Sequence, residues 1–230
     1  MICLELIDAF GATVSYNRFL ELMQEVTVPL LLFVALARKG KVSGIAFVDS
    51  MAIKVCHPAR ISAHKTFKNL AQRGKTSVGW FYGFKLHLII NHVGEIISFW
   101  ITPGNVADNN VTVLDRLTKG LWGKLFGYRG YISEDLFTCL LKRCIKLFTR
   151  IRKNMRNKLI TLWDKFLLSN RGVIESTNNL LKNSCQIEHS RHRSVTNFFV
   201  NFVAGLATYS FRENKPSINI KSFRLLEAIS

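Results

Sequence analysis

Residues 80–91 alternate in a way that commits the chain to a β-sheet. Phe84, Leu86, Leu88 and Ile90 fall on one side of an extended backbone and Lys85 and His87 on the other, the two-residue period of a half-buried strand. Residues 95–102 form a second β-rich segment. The two are joined at Asn91-His92-Val93-Gly94, and Pro103-Gly104-Asn105 ends the pair, so together they predict a hairpin. An apolar sheet face has to be covered, and the cover must come from the rest of the chain.

The remaining segments supply it. Residues 44–49 are a short apolar run ending in Asp49, which predicts a buried strand whose end meets solvent. Residues 57–79 are basic and broken by Gly74 and Gly79, the composition of a loop. Then follow a helix over 108–119, a strand over 121–128, a turn at Gly130, a helix over 134–143 capped by Ser133, and a strand over 145–151. Helices over 153–168, 171–183 and 194–211 close the chain. At its start, a helix over 16–23 precedes an apolar run over 26–37 that contains Pro29 and is too short to span a bilayer. A three-stranded start followed by alternating helix and strand is the order of a ribonuclease-H-like α/β fold, a mixed sheet flanked by helices.

Charge narrows the partner. Lys and Arg total 32 against 15 Asp and Glu, a formal net charge of +17. Such an excess attracts polyanions, and nucleic acid is the leading inference, with a ribosome-associated or unspecific basic surface as the alternatives. Three basic stretches could follow a phosphate backbone: 57–75, 150–158, and the run ending in Arg191, His192 and Arg193. Trp80, Phe81 and Tyr82 suit either base stacking or the core. The five cysteines include no CxxC pair, so a reduced, cytosolic protein is expected.

Phosphodiester chemistry at neutral pH needs a nucleophilic water and neutralisation of charge on phosphate oxygens, which carboxylate-bound Mg²⁺ ions supply. Acids at a strand end and on a nearby helix would hold them, and Asp49 and Glu175 stand in such positions. Each also has a plainer reading. Asp49 could begin a turn with Ser50, and Glu175 could pair with Arg171 or Lys182 on a solvated face. Arg171, Glu175, Asn178 or Asn179, and Lys182 recur at spacings of three and four, so they share one helix face opposite Val173, Ile174, Leu180 and Leu181.

Longer blocks carry a resemblance. RGKTSVGWFYGFKLHLIIN (73–91), TPGNVADN (102–109), KLFGYRGYIS (124–133), TRIRKNMRN (149–157), VIESTNNLLKN (173–183) and QIEHSRHRSVTNF (186–198) together resemble the DDE transposases of bacterial insertion sequences. The resemblance implies a ribonuclease-H-like catalytic domain over 41–215, after a helical N-terminal remnant (1–40) and before a C-terminal tail (216–230). It implies a two-ion Mg²⁺ or Mn²⁺ site and cleavage and transfer of double-stranded DNA at element ends and target. Self-association on DNA, no membrane, and a place on the bacterial nucleoid in the cytoplasm go with it. Asp49 matches the first acid and Glu175 the helical acid, both as catalytic metal ligands. Arg171, Lys182, Arg191, His192 and Arg193 are the expected DNA contacts, and Asp108 is expected to stand behind the ligands.

One position departs from the pattern. Tyr128 stands where the second Asp is expected, and a neutral phenol is a poor ligand for Mg²⁺. The expectation is a transposase with impaired catalysis. The alternative is a non-catalytic DNA-binding remnant or an inhibitor of an intact transposase.

Overall fold

The computed structural model describes residues 14–150, 160–188 and 192–220. Arg191, most of the basic stretch 150–158, the start of the helix expected over 153–168 and the tail past 220 lie outside them. Among the described residues, six strands form one mixed sheet: β1 (Ile45–Cys56), β2 (Gln72–Thr76), β3 (Gly79–Asn91), β4 (Ile96–Pro103), β5 (Gly123–Gly127) and β6 (Ile145–Thr149). β3 pairs antiparallel with β1, with β4 and, along its first residues, with β2. β1 continues the sheet in parallel to β5, and β5 to β6. The resulting order β4-β3-β1-β5-β6, three antiparallel strands and then two parallel ones, is the ribonuclease-H-like arrangement expected, with β2 added at the far end of β3.

The helices are α1 (Tyr16–Glu25), α2 (Thr27–Leu32), α3 (Val111–Leu117), α4 (Glu134–Leu141), α5 (Leu162–Ser169), α6 (Gly172–Asn183) and α7 (Val195–Phe211). Side chains of Ser15, Asn110, Ser133 and Thr161 accept backbone N–H bonds at four of the N-termini, each satisfying a donor that the helix leaves open. The apolar run over 26–37 is a separate helix and a π-helical turn (Phe33–Ala37) rather than a continuation of α1. Pro29 has no N–H to give to Glu25, and its ring would crowd that carbonyl. No single helix among the described residues is long and apolar enough to cross a membrane.

Apolar residues pack on both faces of the sheet. On one face Phe47, Met51 and Ile53 of β1 and Phe84, Leu86, Leu88 and Ile90 of β3 meet α5, α6 and α7. On the other, Ala46, Val48, Ile89 and Leu125 meet α3 and α4. β3 is therefore buried on both sides, and the expected half-buried strand is corrected. Lys85 is 8% exposed and His87 0%. Each keeps a partner there: His87 Nε2 lies 2.9 Å from Thr102 Oγ1, and Lys85 Nζ donates to Val106 O at 2.9 Å.

Two further expectations change. β1 does not end at Asp49 but runs to Cys56, because β3 is long enough to pair with it throughout. The stretch read as a loop contains β2, whose polar Gln72, Arg73 and Lys75 carry no apolar period and which is held by backbone pairing to Gly79–Gly83. The segment before residue 220 returns to the turn between β3 and β4, where Ile218 N donates to His92 O at 2.8 Å.

Candidate active site

Two strand neighbours define the site. In the parallel pair, Phe47 of β1 stands opposite Phe126 of β5, and their rings stack at 5.5 Å. Two residues on, β1 carries Asp49 on the same face as Phe47, and Tyr128 directly follows the last residue of β5 in extended backbone conformation. β5 ends at Gly127, so Asp49 sits in mid-strand yet just past the carboxyl end of its parallel neighbour, the place where ligands of open α/β sheets bind. Alternation turns Ser50 to the opposite face.

Helix α6 closes over Asp49. Val173, Ile174 and Leu181 anchor it to the sheet, which brings Asn178 inward, where its Nδ2 donates to Asp49 Oδ2 at 2.9 Å. Glu175, one turn earlier, stays exposed, and its Oε1 lies 3.4 Å from Arg171 Nη2. The guanidinium of Arg171, 12% exposed, lies 4.4 Å from the Tyr128 ring centroid. Arg171 thus links the tyrosine on β5's end to the acid on α6.

Charge in this cluster is held against its preference. The carboxyl of Asp49 is pushed up to about 6, first by burial and then by the negative charges of Glu175 and Asp108, while the Ser50 backbone N–H and Arg171 pull it down. On the opposite face Ser50 Oγ donates to Asp108 Oδ1 at 2.7 Å, and Lys85 Nζ reaches the same oxygen at 2.8 Å. Tyr131 is buried beside them, its phenol held well above its ordinary value near 10 by burial and by Asp49 and Asp108. Asp108 is therefore tied to the residue that follows Asp49 and supports it from behind.

The oxygens gathered here are hard donors: the carboxylate of Asp49, that of Glu175, close enough for its charge to raise the pKa of Asp49, and Asn178 Oδ1, which is buried without a hydrogen-bond partner. Oxygen donors of this kind suit a hard divalent cation such as Mg²⁺. Among the described residues no three His, Cys, Asp or Glu side chains cluster to hold an ion. The other expected DNA contacts are dispersed. Lys182 Nζ pairs with Glu188 Oε2 at 3.0 Å, Arg193 is exposed, and His192 sets its ring edge-on to buried Phe198 at 5.7 Å. The spacing in α6 named Asn178 as one of a row but gave no sign that it bonds Asp49. Alternation put Lys85 on the polar side of its strand, and Tyr131 stood in the sequence only as part of the KLFGYRGYIS block.

Over residues 39–195 the sequence matches the family described as the transposase DDE domain. No curated protein matches it. Among solved structures, a piggyBac transposase determined as a synaptic complex with hairpin DNA matches at 11% identity and a TM-score of 0.48. The match covers 81% of this chain and 52% of that one, so the chain spans about half the length of that protein. With the family match extending over well more than half of its residues, the chain belongs to the transposase DDE domain family.

Proposed function

We propose that the chain is the catalytic-fold portion of a bacterial insertion-sequence transposase whose metal-dependent cleavage and transfer of double-stranded DNA is impaired. The family match over residues 39–195 supports the transposase reading, and what supports impairment is Tyr128, a phenol in contact with Arg171 beside Glu175. Where the family pattern leads one to expect a second carboxylate, the chain has the phenol of Tyr128, with the guanidinium of Arg171 over its ring. Asp49 and Glu175, with Asn178 Oδ1, are the residues that would hold Mg²⁺ or Mn²⁺. What a divalent ion supplies when bound is neutralisation of charge at the scissile phosphate and a more acidic neighbouring water. The chain's own side chains orient the donors: Asn178 fixes one oxygen of Asp49, and Ser50, Asp108 and Lys85 brace its strand from behind.

Lys182 and Arg193, with Arg191, suit phosphate contacts that position DNA without reading its sequence. Two DNA ends must be brought together for transfer, which supports self-association on DNA. A DNA-binding form without catalysis, occupying element ends or inhibiting an intact transposase, is the second reading, and the same Tyr128–Arg171 contact favours it.

The test is strand nicking of terminal-repeat duplex in Mg²⁺ or Mn²⁺. Tyr128→Asp should nick faster than the unaltered chain by more than about a hundredfold, since even losing an outer partner of a metal ligand costs up to about that much. Adding Asp49→Ala should abolish the gain. Robust nicking by the unaltered chain, lost on Asp49→Ala, would refute the impairment.

A further inference from the structure

Far from the acids, the β2–β3 hairpin presents an aromatic ring to solvent in strongly basic surroundings. Trp80 is 66% exposed, whereas Phe81 and Tyr82 beside it are buried. The turn that carries it is braced, with Val78 N donating to Thr76 Oγ1 at 3.3 Å and Thr76 Oγ1 donating to Gly79 O at 3.1 Å. Pro58, Ile61, Arg73, Trp80 and Phe81 line a cavity of about 270 Å³. That lies just under the roughly 300–1,000 Å³ of pockets for drug-sized ligands and suits a single flat ring system.

Charge selects the ring. Lys75 Nζ stands 5.6 Å from the Trp80 ring centroid, and Arg60, Lys65, Lys68 and Arg73 are exposed nearby in sequence. Between Asp49 and Glu95 the chain contains no acid. An exposed ring among cations, with Lys75 over one of its faces, is a combination that binds single-stranded nucleic acid, since every base has a face to stack and every nucleotide a phosphate. Trp80 lies along β3 from Leu88, the partner of Asp49, at a distance of roughly 25 Å by strand rise. The slot is thus separate from the candidate active site.

We propose that Trp80 and the slot beneath it take an unpaired base of DNA, stacked on the indole, with Arg73 and Lys75 at the flanking phosphates. The proposal rests on the reading of the chain as a DNA-binding protein. Its test uses the full chain with three DNAs: a blunt duplex, the same duplex with a short thymidine tail, and the same with an abasic tail. The thymidine tail should tighten binding roughly fivefold to a hundredfold, the range that one stacked base contributes, and the abasic tail should not. Trp80→Ala should remove that gain and leave blunt-duplex affinity unchanged, and Trp80→Phe should keep part of it. As a second measurement, 2-aminopurine placed in the tail should lose fluorescence on binding the unaltered chain but not Trp80→Ala.

Equal affinity for thymidine and abasic tails would overturn the proposal, as would equal weakening of all three DNAs by Trp80→Ala or preference for a ribonucleotide tail. If the blunt duplex binds and the tail adds nothing, only the stacking site fails. If no DNA binds, the DNA-binding reading fails and the proposal with it.

Discussion

The guanidinium of Arg171 lies 4.4 Å from the ring centroid of Tyr128, joining the first residue of helix α6's row to the end of strand β5. A cation over an aromatic face is worth about 0.5–1 kcal/mol when exposed and about 2 when desolvated. Arg171 is largely buried and Tyr128 about half exposed, so a coupling near 1 kcal/mol is expected. A double-mutant cycle with Arg171→Met and Tyr128→Leu, read by urea unfolding, measures it. Additive effects of the two substitutions would show that the contact contributes nothing.

Asp49 gives the protein a pH signature. Its folded pKa of about 6 lies above the ordinary 3.8, so the folded state holds the proton more tightly than the unfolded chain does. Stability from this group is therefore full at pH values below about 4 and lost as pH rises to about 6, at most about 3 kcal/mol. Asp49→Asn should stabilise the protein at pH 7 and have little effect at pH 4, in chelator. Mn²⁺ should then raise the melting temperature of the unaltered chain more than that of Asp49→Asn. Equal pH profiles for the two chains would count against the burial of this charge.

His87 should slope the other way. Burial lowers its pKa to about 4 from 6.5, so the folded state refuses a proton that the unfolded chain accepts. Its contribution is present above about pH 6.5 and lost as pH falls to about 4, again by up to about 3 kcal/mol. His87→Gln should flatten that part of the stability curve, measured against the unaltered chain over the same range.

These two residues also mark where sequence reading succeeds and stops. The alternation over 84–90 located β3 because side-chain period is local. It misjudged Lys85 and His87 because the α3 and α4 cover over that face is set by distant segments. β2 left no signal, since its pairing uses backbone atoms that every residue has. Asp49 and Glu175 were legible as acids on suitable elements, and in the structure α6 packs Asn178 onto Asp49 and Arg171 onto Tyr128. Asn178's bond to Asp49 spans 129 residues, and no spacing within α6 reports it.

The pair behind Asp49 is more than decoration. Lys85 is buried, and Asp108 Oδ1 at 2.8 Å is its counter-charge. Removing one partner of a fully buried pair costs about 3–5 kcal/mol, and the partial exposure of Asp108 lowers the expectation for Asp108→Asn to about 2. Lys85→Met added to that variant should recover much of the loss, because no buried charge is then left alone. Chemical denaturation of the three chains distinguishes this from a loss of packing, which the second substitution would not repair.

Lys182 is the cation whose availability for DNA can be tuned without touching it. Its Nζ pairs with Glu188 Oε2 at 3.0 Å, and Glu188 Oε1 also accepts Lys54 N at 3.2 Å, so the acid is fixed in place. Glu188→Gln keeps the shape but releases the charge of Lys182 to a phosphate. Duplex affinity should rise severalfold, and the salt slope, log K against log[salt], should steepen by about one. Lys182→Gln in the same background should reverse both changes. Glu134→Gln, an exposed acid at the start of α4, controls for net charge alone. If it tightens binding as much as Glu188→Gln does, the gain comes from the overall field of the protein and Lys182 makes no direct contact.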